Sequence, residues 1–455
     1  MRALVLLILA TALTAAALVA GRGAASPAAT GSAGIVPLAR VVADTRAATA
    51  AQYVHRAGSR IVDAKAFSQM QAYVLRRYTG VTARNSFVEP ARRIVDCVAF
   101  AAQPGIRGHA AAAAGSKTPP APGSGPLKPP RDARKIAFPR DRALDITLKA
   151  TQRDGFGNPR FCRAGDVPLA RVTLNELKRF RTLASFFAKG DLREDFKPGH
   201  PDPHPIPPDD DTHYYARGVQ FVDNLGADAW LNVWSPSVSS DQMSLSQIWV
   251  VGSSGSTKQT AEAGWQVYPD KWGGSNAALW VYYTTAGYSS GSGCYNLDCS
   301  GFVQVANNVY LGGGFDHYST AGGTQWGFEL QYKRDPRNGN WWLFYRGPGD
   351  WIPVGYYPHS VYGTGQLATN AQKVAFGGED TGKPSALQMG SGEFASGNFG
   401  KSAYQHTAFY IDTKIVSQWT TLSSETSDTT CYTTDIGSSS GSWGVYLFLG
   451  GPKCH

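Results

Sequence analysis

Motifs for metals and membranes are missing from this sequence. It has no Cys-x-x-Cys, and no His pair four apart flanks a Glu. The common zinc patterns are therefore excluded, and neither metal nor other cofactor is expected. His200 and His204 are four apart, but the prolines around them forbid a shared helical face. After residue 20 no apolar run approaches the ~20 residues that a bilayer requires. No Asn-x-Ser/Thr sequon occurs, so N-glycosylation is not expected. Charge is also sparse, at 17% of 455 residues, while 42% are hydrophobic and 12% aromatic. Such a chain can bury a core, which excludes disorder throughout. Its length allows two or three domains.

The charge that is present is divided unevenly. The net value of +9 would suggest a polyanionic partner. Residues 1–200, however, carry 31 Lys and Arg against 13 Asp and Glu, and residues 201–455 carry 12 against 21. A basic half is joined to an acidic half. The two are expected to dock on each other, and no nucleic acid is expected as a partner.

The chain opens with Arg2 and an apolar run from Ala3 to Val19, broken only by Thr11 and Thr14. Small residues follow at Gly23, Ala24 and Ala25. This is the pattern of a secretory signal peptide over residues 1–25. The mature protein is expected to be secreted, extracellular, free of membrane and monomeric. Export favours disulfides among Cys97, Cys162, Cys294, Cys299, Cys431 and Cys454. Six cysteines allow fifteen pairings. If the halves separate, each must pair internally. Cys97–Cys162 is then the bridge of the first half, with Cys294–Cys299 and Cys431–Cys454 the tight local choices in the second.

Residues 26–198 read as a small α+β unit. Apolar spacing predicts a helix over Asp63–Arg77, and Ile94–Val98 reads as a strand. Ala143–Leu148 alternates like a strand. Thr173 and Glu176 form a capping box before a short helix. Residues 199–212 hold a run of prolines and are expected to be an extended, exposed linker. From residue 213 to 455 the texture is β. Runs such as Ala229–Trp234, Ser246–Val251, Leu279–Tyr283 and Asn340–Tyr345 alternate between Gly/Ser turns. An Asn-Gly turn lies between Asp335 and Asn340. The fold class is mainly β, an antiparallel β-sandwich preceded by the α+β unit.

Two G-x-S-x-G matches, Gly287–Gly291 and Gly437–Gly441, lie in Gly/Ser-rich loops without a strand-to-helix turn, so chance explains them. Glutamates inside strands are more informative. Strand alternation places Glu262, Gly264 and Gln266 on one face, with Trp265 on the other. Glu379 shares a face with Gly377. A bare glycine beside each carboxylate is expected to leave room for a substrate backbone, and the two glutamates can meet on a curved sheet.

These segments resemble the neprosin family. The likeness is carried by Glu262–Pro269, Gly293–Gln304, Gly339–Trp342, Gly377–Glu379, Gln388–Gly392 and Phe399–Tyr404, and by Cys431 with Gly450–Cys454. Ile94–Cys97 and Cys162–Leu169 resemble the cysteine motifs of that family's activation domain. The resemblance implies a secreted, acid-active glutamic endopeptidase cleaving after proline, with Glu262 and Glu379 catalytic. It also implies peptide or protein substrates rich in proline, and a preceding activation domain. The opposite charges of the halves then predict that this domain acts as an intramolecular inhibitor released at low pH, as the carboxylates of the acidic half are neutralised while Lys and Arg stay charged. If the chain shares the family's proline preference, residues 199–212 are the cleavable linker.

The chemistry agrees. Two close carboxyls cannot both ionise cheaply, so one can serve as base and the other as acid. Gln266 is a candidate oxyanion donor, and Trp265 and Tyr295 are candidate substrate contacts. A carbohydrate-active or carbohydrate-binding sandwich using the same glutamates is the alternative.

Overall fold

The computed structural model describes residues 33–108, 120–131, 139–189, 212–255, 257–382, 387–439 and 442–452. The expected signal peptide, residues 199–211 of the expected linker, and Cys454 lie outside the described residues. Those described belong to one compact unit, Gly31–His455.

The basic half is built largely from local signals. Asp63 caps the helix Ala64–Arg77 by accepting from the Ala66 amide at 2.7 Å. Phe67, Met70 and Val74 recur at helical spacing on its buried face. Strands β1 (Asn85–Val88), β2 (Ile94–Ala99) and, further on, β4 (Asp166–Ala170) form a three-stranded antiparallel sheet. The Cys97–Cys162 bridge staples this sheet to the loop before β4. The capping box at Thr173 and Glu176 starts a single turn, Leu174–Leu177, and a second turn follows at Leu183–Phe187.

Ala143–Leu148 departs from expectation. Only β3 (Arg142–Ala143) is a strand, and Thr147 adds an isolated bridge to Val309. The alternation is real, since Leu144 and Leu148 are buried. Their partners, however, belong to the acidic half, which offers only a short open edge there.

The acidic half begins with β5 (Thr212–Asn224), β6 (Gly226–Asn232), β7 (Met243–Ser254), β8 (Thr257–Val267) and β9 (Ala278–Thr284). Short β10 (Gly293–Tyr295) and β11 (Val303–Gln304) follow, then β12 (Trp326–Arg334), β13 (Trp341–Arg346) and β14 (Ile352–Tyr357). Next come β15 (Ala371–Gly382), β16 (Ala403–Ile411), β17 (Ser417–Trp419), β18 (Ser423–Thr426), β19 (Thr433–Ser438) and β20 (Val445–Gly450).

Among the described residues they make two sheets. The front sheet has the order β10-β9-β8-β7-β15-β5-β18. The back sheet runs β11-β14-β13-β12-β6-β16-β20-β19, with β3 added to β12 and β17 to β16. Every pairing is antiparallel except β3 on β12. The Asn-Gly turn joins β12 to β13, where Gly339 has a φ of 74°.

Side chains cross between the sheets. Trp265 donates from Nε1 to the Asn232 carbonyl at 2.8 Å, and the Tyr332 hydroxyl donates to the Glu262 carbonyl at 2.9 Å. Aromatic and aliphatic side chains from both inner faces fill the space between, as in a sandwich core. Cys294 bridges Cys299 across the loop after β10. Cys431 is itself disulfide-bonded.

Candidate active site

Alternation on β8 and β15 delivers two glutamates to the outer face of the front sheet. Glu262 lies opposite Trp249 and Tyr282, and Glu379 lies opposite Leu245 and Tyr215. Both carboxylates are buried, at 0% and 1% exposure. They meet at one atom. The ammonium of Lys189 lies 2.6 Å from Glu262 Oε2 and 2.5 Å from Glu379 Oε2. Those two oxygens are thus at most about 5 Å apart, too close for an inverting glycosidase pair, which needs ~6.5–9.5 Å.

Each carboxylate has two further partners. Thr260 and Tyr288 donate hydroxyls to Glu262 Oε1 at 2.6 and 2.7 Å. Gln247 donates to Glu379 Oε2 at 3.0 Å, and His213 Nδ1 contacts Glu379 Oε1. Burial alone would raise the Glu379 carboxyl. The Lys189 charge and the hydrogen bond and charge of His213 overcome it and hold the group at about 2. Burial pushes the Tyr288 phenol well up, and the Glu262 and Glu379 charges push it further, so it remains a hydroxyl donor.

Lys189 belongs to the basic half and lies just after the turn Leu183–Phe187. Its ammonium lies 5.3 Å from the ring centre of Trp249, 5.4 Å from Trp280 and 5.9 Å from Tyr288. More contacts seat the same half nearby. Arg60 pairs with Asp270. Arg77 donates to the Leu297 carbonyl at 2.6 Å, Tyr73 to the Asp298 carbonyl at 2.8 Å, and Lys271 to the Phe186 carbonyl at 2.6 Å. Lys271 also pairs with Asp298 at 2.8 Å, and burial lowers its ammonium to about 8 against that pull. A cavity of about 430 Å³, lined by Gln52, Tyr53, Arg56 and Lys178, lies away from the glutamates, inside the basic half.

Several readings need correction. Trp265 sits on the face opposite Glu262 and is spent in the core, so it touches nothing that reaches the glutamates. Gln266 shares the glutamate's face, but its amide donates to the Tyr295 hydroxyl at 3.0 Å and lies against Met243 Sδ, so it contacts neither carboxylate. Tyr295 is buried on the glutamates' own face, directly across from Tyr282, which itself lies opposite Glu262; the two tyrosine ring centroids are 4.8 Å apart, and Tyr282 stands between Tyr295 and the carboxylate. The two glycines do not leave room for substrate. A Cβ on Gly264 would lie 2.0 Å from the Ser246 carbonyl oxygen, and one on Gly377 2.5 Å from that of Ala216. They let neighbouring strands close in, and Gly377 also adopts a φ of +144°.

Lys189, His213, Gln247, Thr260 and Tyr288 were not singled out by sequence. Thr260 is two residues from Glu262 and was accessible to the same alternation argument. Tyr288 lies inside the discounted G-x-S-x-G match. Its φ of 64° turns the ring toward Glu262, which no motif announces.

Residues 240–452 match the family model described as Neprosin, a span that contains both glutamates and every strand of the two sheets except β3, β5 and β6. This span is a Neprosin domain. Solved structures similar to part of the chain include scytalido-glutamic peptidase with a peptide-based transition state analogue. It is 10% identical over 52% of this chain and 97% of that one, with a TM-score of 0.27. Another is SCP-B, a member of the eqolisin family of peptidases, in a complex with the tripeptide Ala-Ile-His. It is 11% identical over 52% of this chain and 96% of that one, with a TM-score of 0.26. The helices and the three-stranded sheet of the basic half precede the Neprosin domain in sequence, and Lys189 is the residue that reaches its glutamates.

Proposed function

We propose that this chain is a secreted, acid-active glutamic endopeptidase made as an inactive precursor, with Glu262 and Glu379 as the catalytic pair and Lys189 as the plug. The observation that carries the reading is the convergence of two buried carboxylates, from two strands of the Neprosin domain, on one removable cation.

The plug acts in two ways. It fills the point between the carboxylates where an attacking water would sit bonded to both. It also holds Glu379 ionised, its carboxyl pulled down to about 2, and takes one oxygen of each glutamate. When Lys189 leaves, two close carboxyls in a dry site must share a proton. His213 and Gln247 still donate to Glu379 and favour its charge, so Glu379 is the base that takes the proton of water. Hydroxyls can turn from donor to acceptor. Thr260 and Tyr288 therefore tolerate a protonated Glu262, which hydrogen-bonds the developing oxyanion and then protonates the leaving nitrogen. Withdrawal of the ammonium also frees the rings of Trp249, Trp280 and Tyr288, an aromatic wall suited to the flat ring of proline. That wall supports cleavage after proline.

Glu262→Gln and Glu379→Gln test the pair. Each is expected to abolish acid proteolysis of a proline-containing peptide while leaving the thermal melt of the full chain cooperative. Retained cleavage in both would end the glutamic reading. Hydrolysis of a glycan with the peptide untouched would replace it with the carbohydrate-active one.

A further inference from the structure

The back sheet carries a second peptide contact, far in sequence from Lys189. Residues 120–131 of the basic half, Pro-Ala-Pro-Gly-Ser-Gly-Pro-Leu-Lys-Pro-Pro-Arg, lie along β12. Alternate residues of β12 and the residue just beyond it meet them. Gln331, Lys333 and Asp335 point away from the sandwich core, while Leu330 and Tyr332 point into it.

Gln331 holds both main-chain groups of Leu127. Its Oε1 accepts from the Leu127 amide at 2.7 Å, and its Nε2 donates to the Leu127 carbonyl at 2.9 Å. Lys333 donates to the Gly125 carbonyl at 2.7 Å and to Ser124 Oγ at 2.8 Å. Asp335 Oδ2 accepts from the Gly123 amide at 2.5 Å. Each step of two along β12 is matched by a step of two along the segment, in the opposite direction. This is the signature of an extended peptide read residue by residue.

The three readers are built in. They are 0%, 2% and 2% exposed. Gln331 Nε2 is also held by Asp228 Oδ2 at 2.9 Å, and the Arg337 amide donates to Asp335 Oδ1 at 2.9 Å. Trp342 and Phe344 stand opposite Lys333 and Gln331 on β13, both buried, and the Trp342 indole N–H has no hydrogen-bond partner among the described residues. Nearly every contact goes to main chain. The one strict demand is at Gly123, where a Cβ would lie 2.2 Å from Asp335 Oδ1 and 2.1 Å from Arg337 Nε. Prolines around it hold the extended form at little entropic cost.

We propose that this face of the Neprosin domain is a peptide-binding exosite. Its ligand is an extended Pro/Gly-rich segment of another protein, and residues 122–127 occupy it until they are displaced. The site needs neither glutamate, so it stands or falls independently of the catalytic reading.

Gly123→Val in the full chain tests it at neutral pH. The added side chain is expected to expel the segment, so the Leu127 amide exchanges hydrogen about tenfold faster. A fluorescent peptide with the sequence of residues 120–130 should then bind the variant, and bind the wild type at least about tenfold more weakly. The same peptide with Val in place of its first Gly should bind neither, and Gln331→Ala added to the variant should abolish binding. Equal binding to variant and wild type, equal binding of the Val peptide, no binding despite fast Leu127 exchange, or unchanged exchange would each overturn the proposal. If Gly123→Val does not fold, Gln331→Ala alone decides: Leu127 exchange should accelerate about tenfold, and an unchanged rate refutes the clamp.

Discussion

Lys189→Met separates the charge of the plug from its bulk. Glu379 is held at about 2, against an ordinary 4.5. The gap corresponds to about 3 kcal/mol favouring the ionised, plugged state. A lowered carboxyl contributes stability that is complete above about 4.5 and is lost as pH falls toward 2. Wild-type release should therefore begin below about pH 4.5. The Lys189 charge is the largest single cause of the lowering, followed by the hydrogen bond and the charge of His213. Its loss is expected to weaken docking by about 2 kcal/mol, roughly thirtyfold. Two assays read this. Precursor processing followed against pH should start at higher pH in the variant. Infrared difference spectra at neutral pH, variant minus wild type, should show an added protonated carboxyl band, beyond that of Asp380, whose carboxyl burial pushes up to about 8 in both. Processing at the same pH, with no such band, would refute the electrostatic plug.

Other substitutions probe the surroundings. Tyr288→Phe removes a donor from Glu262 and should lower kcat more than it raises KM, with the acid limb of the pH profile displaced; an unchanged profile argues that the hydroxyl is idle. Trp280→Ala should raise KM for proline substrates severalfold, whereas Trp265→Ala should cost about 3–5 kcal/mol of stability in a denaturant melt. Opening the 65-residue Cys97–Cys162 loop with paired serines should cost the basic half about 4 kcal/mol and raise the pH at which processing begins; a precursor that stays latent would show that the staple is dispensable.

Much of the front sheet was legible because a period of two suffices to assign the face of a glutamate within a strand. The sandwich follows from such local rules. The Cys97–Cys162 and Cys294–Cys299 bridges follow from requiring each half to pair its own cysteines, and alternation made the meeting of Glu262 with Glu379 only possible, the family resemblance singling the two out. Lys189 follows from none of these. One lysine among 43 Lys and Arg carries no local mark, and its role arises only because a short turn ends over the front sheet. Gln266 misled for a related reason. Sharing a face with Glu262 fixes direction, but Gln266 lies two strands from Glu379 with Leu245 between them, whereas Gln247 lies on β7, next to β15. Ala143–Leu148 showed the correct alternation, yet its strand partners lay in the other half of the chain.

Lys189 and His213 both touch Glu379, so the chain between them starts and finishes at one carboxylate. Neither bridge resolved between two described cysteines ties the basic half to the Neprosin domain. While that span is intact, the lysine faces its target at a local concentration on the order of millimolar, whatever the protein concentration. If the basic half inhibits as proposed, one cut would turn a tethered inhibitor into a free one, with occupancy then following mass action. In a crowded secretion the nicked pair would stay silent. Mere dilution into a larger volume would finish what acid began.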